Sequence, residues 1–303
     1  KTVRTRMETR ERTTMKKTAA ILFTALLAIA LIGCGSGSDA KKQAGSGAKG
    51  VKVIEIPLTQ EEYAFGVDKN QPELLEQVNA FIAKIKVDGT LDEILNRYFG
   101  DGEPKPVASA ALDTGKDQLV VATNAAFEPF EYTKGDSYFG VDMEIAALLA
   151  EHLGQELVIS NMDFDAVVLS VGQGKADIAM AGLTITEERK SYVNFSDKYY
   201  DAAQMIIVKA SDTRFDDAKT LADVEAVLNG LSKDVKVGFQ TGTTAQFYVE
   251  GDEDWGFPGL DVTGVGYRNG SLAVQDMLNG NVDLVIIDEA PAKFIAAAFN
   301  ELQ

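Results

Sequence analysis

Arg189, Asp288 and a set of threonines and phenylalanines fall in four short stretches, each following an apolar run. They are "TNAAFEPFEY" (123–132), "MAGLTITEERKSYVNFSDKYY" (180–200), "FQTGTTAQF" (239–247) and "IIDEAPA" (286–292). A guanidinium presents a planar fork of donors that matches a carboxylate at two points, and the unpaired N–H groups of a helix start favour the same anion. An aspartate with a free carbonyl suits an ammonium group, and aromatic faces can sandwich what lies between. Together the residues fit a zwitterionic amino acid. Plainer readings stay open. Asp288 stands where a residue caps the next helix, Arg189 can be a solvated helix arginine, Thr243 and Thr244 can be ordinary helix starters, and Phe130 reads as core.

Other chemistries are removed by composition. One cysteine and one histidine in 303 residues leave no disulfide within the chain and no zinc cluster of the usual ligands. Most metal and catalytic repertoires are thereby removed, and no metal, cofactor or catalytic residue is assigned. The lone His152 lies off the apolar stripe of its helix and reads as surface. An apolar fraction of 46% and a charged fraction of 25% are those of a soluble globular protein, long enough for two domains.

Strands and helices must alternate to position these stretches. "QLVVAT" (118–123), "ELVIS" (156–160), "ADIAM" (176–180), "MIIVK" (205–209), "VKVGF" (235–239) and "VDLVII" (282–287) read as strands. Between them lie helices at "GVDMEIAALLAEHLG" (140–154), 220–231, 242–250 and "SLAVQDMLNG" (271–280). Such alternation predicts mostly parallel sheets covered by helices, here in two lobes, with ligands beyond the carboxyl ends of the strands. Upstream, "VKVIEI" (51–56) reads as a strand, "PLTQEEYAFGVDK" (57–69) as extended chain, and a helix begins at Pro72. Thr90 and Glu93 have the spacing of a capping box for a helix that Gly100 ends. Residues 101–117, with two prolines and no periodicity, read as a linker.

The first 50 residues lie apart from this pattern. From Met15, "MKKTAAILFTALLAIALIGC" has two lysines, an apolar run too short for a comfortable membrane span, and small residues, which together match an export signal. Residues 1–14 read as sequence ahead of a start at Met15. "LIGC" resembles a bacterial lipobox, which implies cleavage before Cys34 and lipidation of its thiol. Residues 35–50 form a Gly/Ser/Ala/Lys tether reaching about 20–25 Å on average. Without residues 1–33 the chain carries 22 basic and 44 acidic residues, a net charge of −22. That surface repels phosphate backbones, so nucleic acid is not an expected partner.

"VVATNAAFEPFEY" (120–132), "MDF" (162–164) and "AGLTITEERK…NFSDKYY" (181–200) resemble the bacterial extracellular solute-binding proteins for polar amino acids, family 3, glutamine-binding proteins above all. The resemblance covers residues 51–100 and 118–303. It implies a two-lobed α/β receptor of the periplasmic-binding-protein type II fold, closing on a free amino acid that it delivers to the permease of an ABC importer. Carried onto this sequence, Arg189 clamps the ligand α-carboxylate with the Thr184 and Thr244 backbone N–H groups. Asp288, the Gly182 carbonyl and the Thr184 hydroxyl take the α-ammonium. Phe127 and Phe164 flank the side chain, with Asn124 and Gln240 near its far end. Two departures bear on the ligand. Asn124 stands where receptors for cationic amino acids tend to carry an acid, and Gln240 where glutamine receptors tend to carry lysine. A neutral polar amino acid is expected.

In that family, a segment like "PLTQEEYAFGVDK…LDEILNRYFG" comes last, after the helix at "DEAPA". Here it comes first, so the resemblance implies a circular permutation. Truncation, with 51–100 left from an upstream copy, is the rival account. The expected organisation is signal region 1–33, tether 34–50, second-lobe strand 51–58, hinge 59–63, first lobe 64–100, linker 101–117, first lobe 118–198, hinge 199–203 and second lobe 204–303. A lipid-anchored monomer outside the cell membrane or in the periplasm is expected. Two other functions fit the same fold. A dehydratase acting on cyclohexadienyl acids would need a general acid in the cleft, and a sensory domain would need a transmembrane continuation.

Overall fold

A computed structural model of the chain describes residues 50–302. The expected export signal, Cys34 and tether lie outside these residues. Two five-stranded sheets organise the described chain. In one, Val51–Ile54, Gln204–Lys209, Leu284–Asp288, Lys236–Gln240 and Thr263–Tyr267 lie side by side in that order. In the other the order is Val193–Phe195, Gly66–Asp68, Ile178–Ala179, Gln118–Thr123 and Glu156–Asn161. Parallel pairs join 118–123 to 156–161 and 236–240 to both 263–267 and 284–288, whereas 51–54 pairs antiparallel with 204–209. The two sheets with their helices form the two lobes of the expected α/β fold.

The chain passes between the sheets along two neighbouring strands. Glu61–Tyr63 and Tyr200–Ala202 pair antiparallel as a two-stranded ribbon, with Tyr63 opposite Tyr200. Tyr63 is fully buried there and meets Phe130 edge-on, with ring centroids 5.1 Å apart. Phe65 stacks on Tyr199 at 4.4 Å. Aromatic rings at such separations add stabilisation beyond their buried area, so the crossing is a firm base rather than a loose string.

Helices cover the sheets as their apolar spacing requires. In Pro72–Val87, Leu74, Val78, Phe81, Ile82 and Ile85 are buried, a stripe at three- and four-residue steps. The next helix corrects an expectation. It runs Thr90–Phe99 with Gly89, at φ +84°, in the capping position, where it has no side chain to cap with. Thr90 is already helical, so its hydroxyl cannot serve; instead the Asp88 carboxylate accepts the Thr90 N–H at 3.1 Å. A two-residue gap between helices demands the left-handed turn that glycine makes cheaply. At Thr220 the capping box is complete, the Thr220 hydroxyl and the Asp223 carboxylate exchanging backbone N–H groups.

The segment "LDEILNRYFG" is firmly seated. Tyr98 donates to Glu144 Oε1 at 2.9 Å, and Arg97 pairs with the same carboxylate at 3.0 Å, on helix Val141–Leu153. Residues 101–117 follow with little regular structure, yet they lie along the same sheet. Val107 is buried and bridges to Tyr138, and the Ala110 N–H reaches the Leu157 carbonyl. Where the described chain begins and ends, the Asn300 side chain bonds both the N–H (2.9 Å) and the carbonyl (3.0 Å) of Val51.

Candidate functional site

The carboxyl ends of strands from both sheets face one another, and the expected residues gather there. Asp288 and Gln240 end two strands of one sheet, and Asn124 follows a strand of the other. Gly182 and Thr184 lie in the turn after Ile178–Ala179, which leads into the short helix Glu187–Lys190 carrying Arg189. Arg189, Asp288, Thr184, Thr244, Gln240, Asn124 and Phe127 are all at most 7% exposed. That decides against a solvated Arg189. Asp288 does occupy the capping position of helix Glu289–Glu301, but its side chain makes no cap bond; it accepts the Tyr63 hydroxyl at 2.5 Å.

The facing groups bond across the gap between the sheets. Arg189 donates to the Thr184 carbonyl at 2.7 Å and to the Gly242 carbonyl at 3.0 Å, and its guanidinium sits 5.3 Å from the centre of the Phe164 ring. Gln240 Nε2 donates to Asn124 Oδ1 at 3.0 Å, and Asn124 Nδ2 to the Met162 carbonyl at 2.6 Å. Arg268 reaches Asp163 at 2.7 Å. Because these pairs close on one another, the expected residues line separate cavities rather than one chamber. Phe164 and Arg189 line one of about 330 Å³, Asn124 another of about 440 Å³, and Phe127 a third of about 300 Å³. A small molecule held between the two sides must exchange its own contacts for these bonds.

Several residues of the site carried no expectation. Glu61, on the crossing ribbon, accepts the hydroxyls of Thr184 (2.7 Å) and Thr244 (2.9 Å) on one carboxylate oxygen. Asp142 accepts the Tyr199 hydroxyl at 2.6 Å and the Gly182 N–H at 2.9 Å, which fixes the turn at φ +53°. A Cβ on Gly182 would stand 3.0 Å from the Phe127 ring, so the turn and that ring fit only because glycine is present. Gln204 is fully buried and donates to Thr244. The only available signal for Glu61 was strand alternation, which buries it and Tyr63 while exposing Glu62.

Charge in this region is mostly negative. Burial raises Asp288 well above the ordinary carboxylate range, with the Glu61 charge adding to it and the Tyr63 hydroxyl opposing. Burial pushes Asp142 to about 7 against the help of Tyr199 and Gly182, and raises Glu131, whose two oxygens have no partner. Burial lowers Arg189, while Glu61 and Asp288 hold its charge.

A raised carboxyl stabilises the fold where it stays protonated. Relative to an unfolded carboxyl near 4, Asp142 contributes fully below about pH 4, and the contribution disappears as pH rises through about 7. Asp142→Asn keeps an acceptor oxygen for the Gly182 N–H and turns an N–H2 to the Tyr199 hydroxyl, which can accept it, but cannot ionise. The stability of wild type minus that of Asp142→Asn should therefore fall between pH 4 and 7.5, measured by urea denaturation. A difference that stays level would show that Asp142 does not titrate in this window.

The sequence profile of the bacterial extracellular solute-binding proteins, family 3, matches residues 4–101 and 119–245. The chain belongs to this family. Over 199 residues the solute-binding protein is 31% identical to "Arginine-binding extracellular protein ArtP" of Bacillus subtilis (strain 168), covering 65% of this chain and 71% of that one. It is also 31% identical over 192 residues to "Probable histidine-binding protein" of Neisseria gonorrhoeae, covering 62% and 65%. The match thus spans about two thirds of the length of these relatives. Among solved structures, "Structure of holo ArgBP from T. maritima" aligns with 36% identity and a TM-score of 0.49, over 60% of this chain and 74% of that one. Among the described residues, no helix of the solute-binding protein is long and apolar enough to cross a membrane, and no cluster of His, Cys, Asp and Glu could hold a metal.

Proposed function

We propose that this solute-binding protein is the receptor of an ABC importer for a free amino acid whose side chain donates hydrogen bonds, glutamine-like above all. One observation carries the reading: Arg189 and Asp288, both buried, lie with the Thr184 and Thr244 hydroxyls where the two sheets face each other. Arg189 holds the ligand α-carboxylate with the backbone N–H groups of Thr184 and Thr244. Asp288 holds the α-ammonium with the Gly182 carbonyl, and Phe127 and Phe164 flank the side chain. At the far end, Gln240 Oε1 is a buried acceptor without a partner, next to Asn124. An acceptor left unpaired there favours a ligand that brings an N–H. A carboxamide supplies one and a carboxylate does not.

A cationic amino acid is the second reading, because its side chain too would bring N–H donors to the unpartnered Gln240 Oε1. Several relatives are named for arginine or histidine. Substituting aspartate at Asn124 tests this poorly, since a carboxylate oxygen would then face the Met162 carbonyl at 2.6 Å. Thermal unfolding with each amino acid separates the readings, because a ligand of the folded state raises stability by RT ln(1 + [L]/Kd). L-glutamine alone raising the midpoint supports the first reading, and L-arginine or L-histidine the second. L-glutamate should do neither. Turnover of prephenate or arogenate would replace both with an enzyme.

We further propose that Cys34 carries a lipid that holds a monomeric receptor beside its permease, and that the chain is a circular permutation of the family order with crossings at 59–63 and 199–203. The contact between Val51 and Asn300 supports this, since the two ends need only a short bridge. A reordered chain, 118–302 followed by 50–100, should fold and bind the same amino acid with Kd within about threefold. Failure of that chain to fold would remove the permutation.

A further inference from the structure

The threonine hydroxyls at the centre of the site are not free to choose their direction. Each carries one proton and two lone pairs. Thr244 accepts from Gln204 Nε2 at 2.8 Å and donates to Glu61 Oε2 at 2.9 Å. Thr184 donates to the same oxygen at 2.7 Å. Thr59 repeats the pattern on the other oxygen, accepting the Gln204 N–H at 2.8 Å and donating to Glu61 Oε1 at 2.6 Å. All three hydroxyl protons point at one carboxylate that is 4% exposed. What the threonines have left to offer is lone pairs. Gln204 Oε1, buried and unpartnered, adds another acceptor, and Asp288, paired across the strands with Gln204, adds a carboxylate.

We propose that Glu61, by taking the protons of Thr184 and Thr244, fixes both as acceptors and makes this end of the site selective for an ammonium group over a keto oxygen. This inference rests on the amino-acid reading above. An ammonium brings three donors and no lone pair, so every group around it is satisfied. A 2-oxo acid brings only acceptors and leaves buried oxygens facing one another, and sites built to bond a polar group reject analogues that lack it. Because Thr184 and Thr244 come from opposite sheets, Glu61 also ties the two sides through one oxygen.

Glu61→Gln tests the assignment. The amide keeps the shape but replaces the carboxylate by one neutral oxygen and an N–H2 donor, so the Thr184 and Thr244 protons, now held by a weaker acceptor or displaced by the N–H2, can turn toward the ligand. Titration calorimetry compares wild type and variant with L-glutamine, L-arginine and the 2-oxo acid of each. Wild type should prefer the amino acid over its 2-oxo acid at least a hundredfold, and Glu61→Gln should shrink that ratio at least tenfold. Thr184→Val, which removes one hydroxyl and keeps its shape, gives a second measurement should Glu61→Gln not fold, and should shrink the ratio similarly. Thr184→Ser should restore it. A ratio unchanged in Glu61→Gln or in Thr184→Val, even with weaker binding overall, overturns the proposal and leaves Glu61 a structural tie. Wild type that binds no amino acid at all overturns the receptor reading and this inference with it.

Discussion

Arg189→Ala should weaken binding of the amino acid by about 2–5 kcal/mol, or about thirty- to several-thousand-fold. The loss is large because the ligand carboxylate would enter a buried site with no cation left to meet it, among Glu61, Asp288 and Asp142. Arg189→Lys keeps the charge but not the planar fork that reaches the Thr184 and Gly242 carbonyls at 2.7 and 3.0 Å. It should fall between wild type and alanine. Calorimetric titration measures all three. The alanine variant also loses a bond between the two sides, so scattering should show the unliganded variant at least as open as wild type. Unchanged affinity in Arg189→Ala would place the carboxylate elsewhere.

Gly140→Ala should destabilise the fold by about 4 kcal/mol or more. Gly140 has φ +124°, and a Cβ on it would stand 2.0 Å from the Phe130 carbonyl oxygen and 2.4 Å from its carbon. Those are backbone atoms of the hairpin in which Ala126–Phe127 pairs antiparallel with Glu131–Lys134, and they cannot swing aside as a side chain can. Relief requires helix Val141–Leu153 to move off that hairpin. The helix carries Asp142, which holds the Gly182 turn, so binding should suffer with stability. Urea denaturation measures the first effect and calorimetry the second. An alanine variant with wild-type stability would mean that the hairpin yields easily.

The elements were largely legible because burial leaves periodic traces. "LVVA" (119–122) and "LVII" (284–287) are apolar throughout, as strands covered on both faces must be, and Val78, Ile82 and Ile85 mark one helix face. The cap at Thr90 was misread because the capping-box spacing says nothing of where the helix begins, and Gly89 begins it one residue earlier. Arg189 and Asp288 stood out through the resemblance of their stretches to the family's motifs, since charged neighbours such as Glu187, Lys190 and Glu289 share those stretches. Glu61 did not, since "QEEY" offers two glutamates, and alternation singles out Glu61 only once the stretch is known to be a strand with Tyr63 buried. Asp142 was hidden among the polar positions of an amphipathic helix. Its partner Tyr199 lies 57 residues on, and no local pattern reports such a pairing. The amide pair of Gln240 and Asn124 is likewise a product of two sheets meeting, not of either stretch alone.

The antiparallel pairing of Val51 with Lys209 has a consequence for the newborn chain. At about 5–20 residues per second, the strand at Val51–Ile54 leaves the ribosome about 8–30 s before its partner has been made. Were it a central strand, the whole sheet would stall until the two met. It is an edge strand instead, last in the order beside Gln204–Lys209, so the other four strands can assemble without it. The early segment can then be added to a finished border, in the manner of a peptide that extends a sheet. Until that moment its unpaired edge is open to any passing chain, which makes this short strand the place where a chaperone would be of most use.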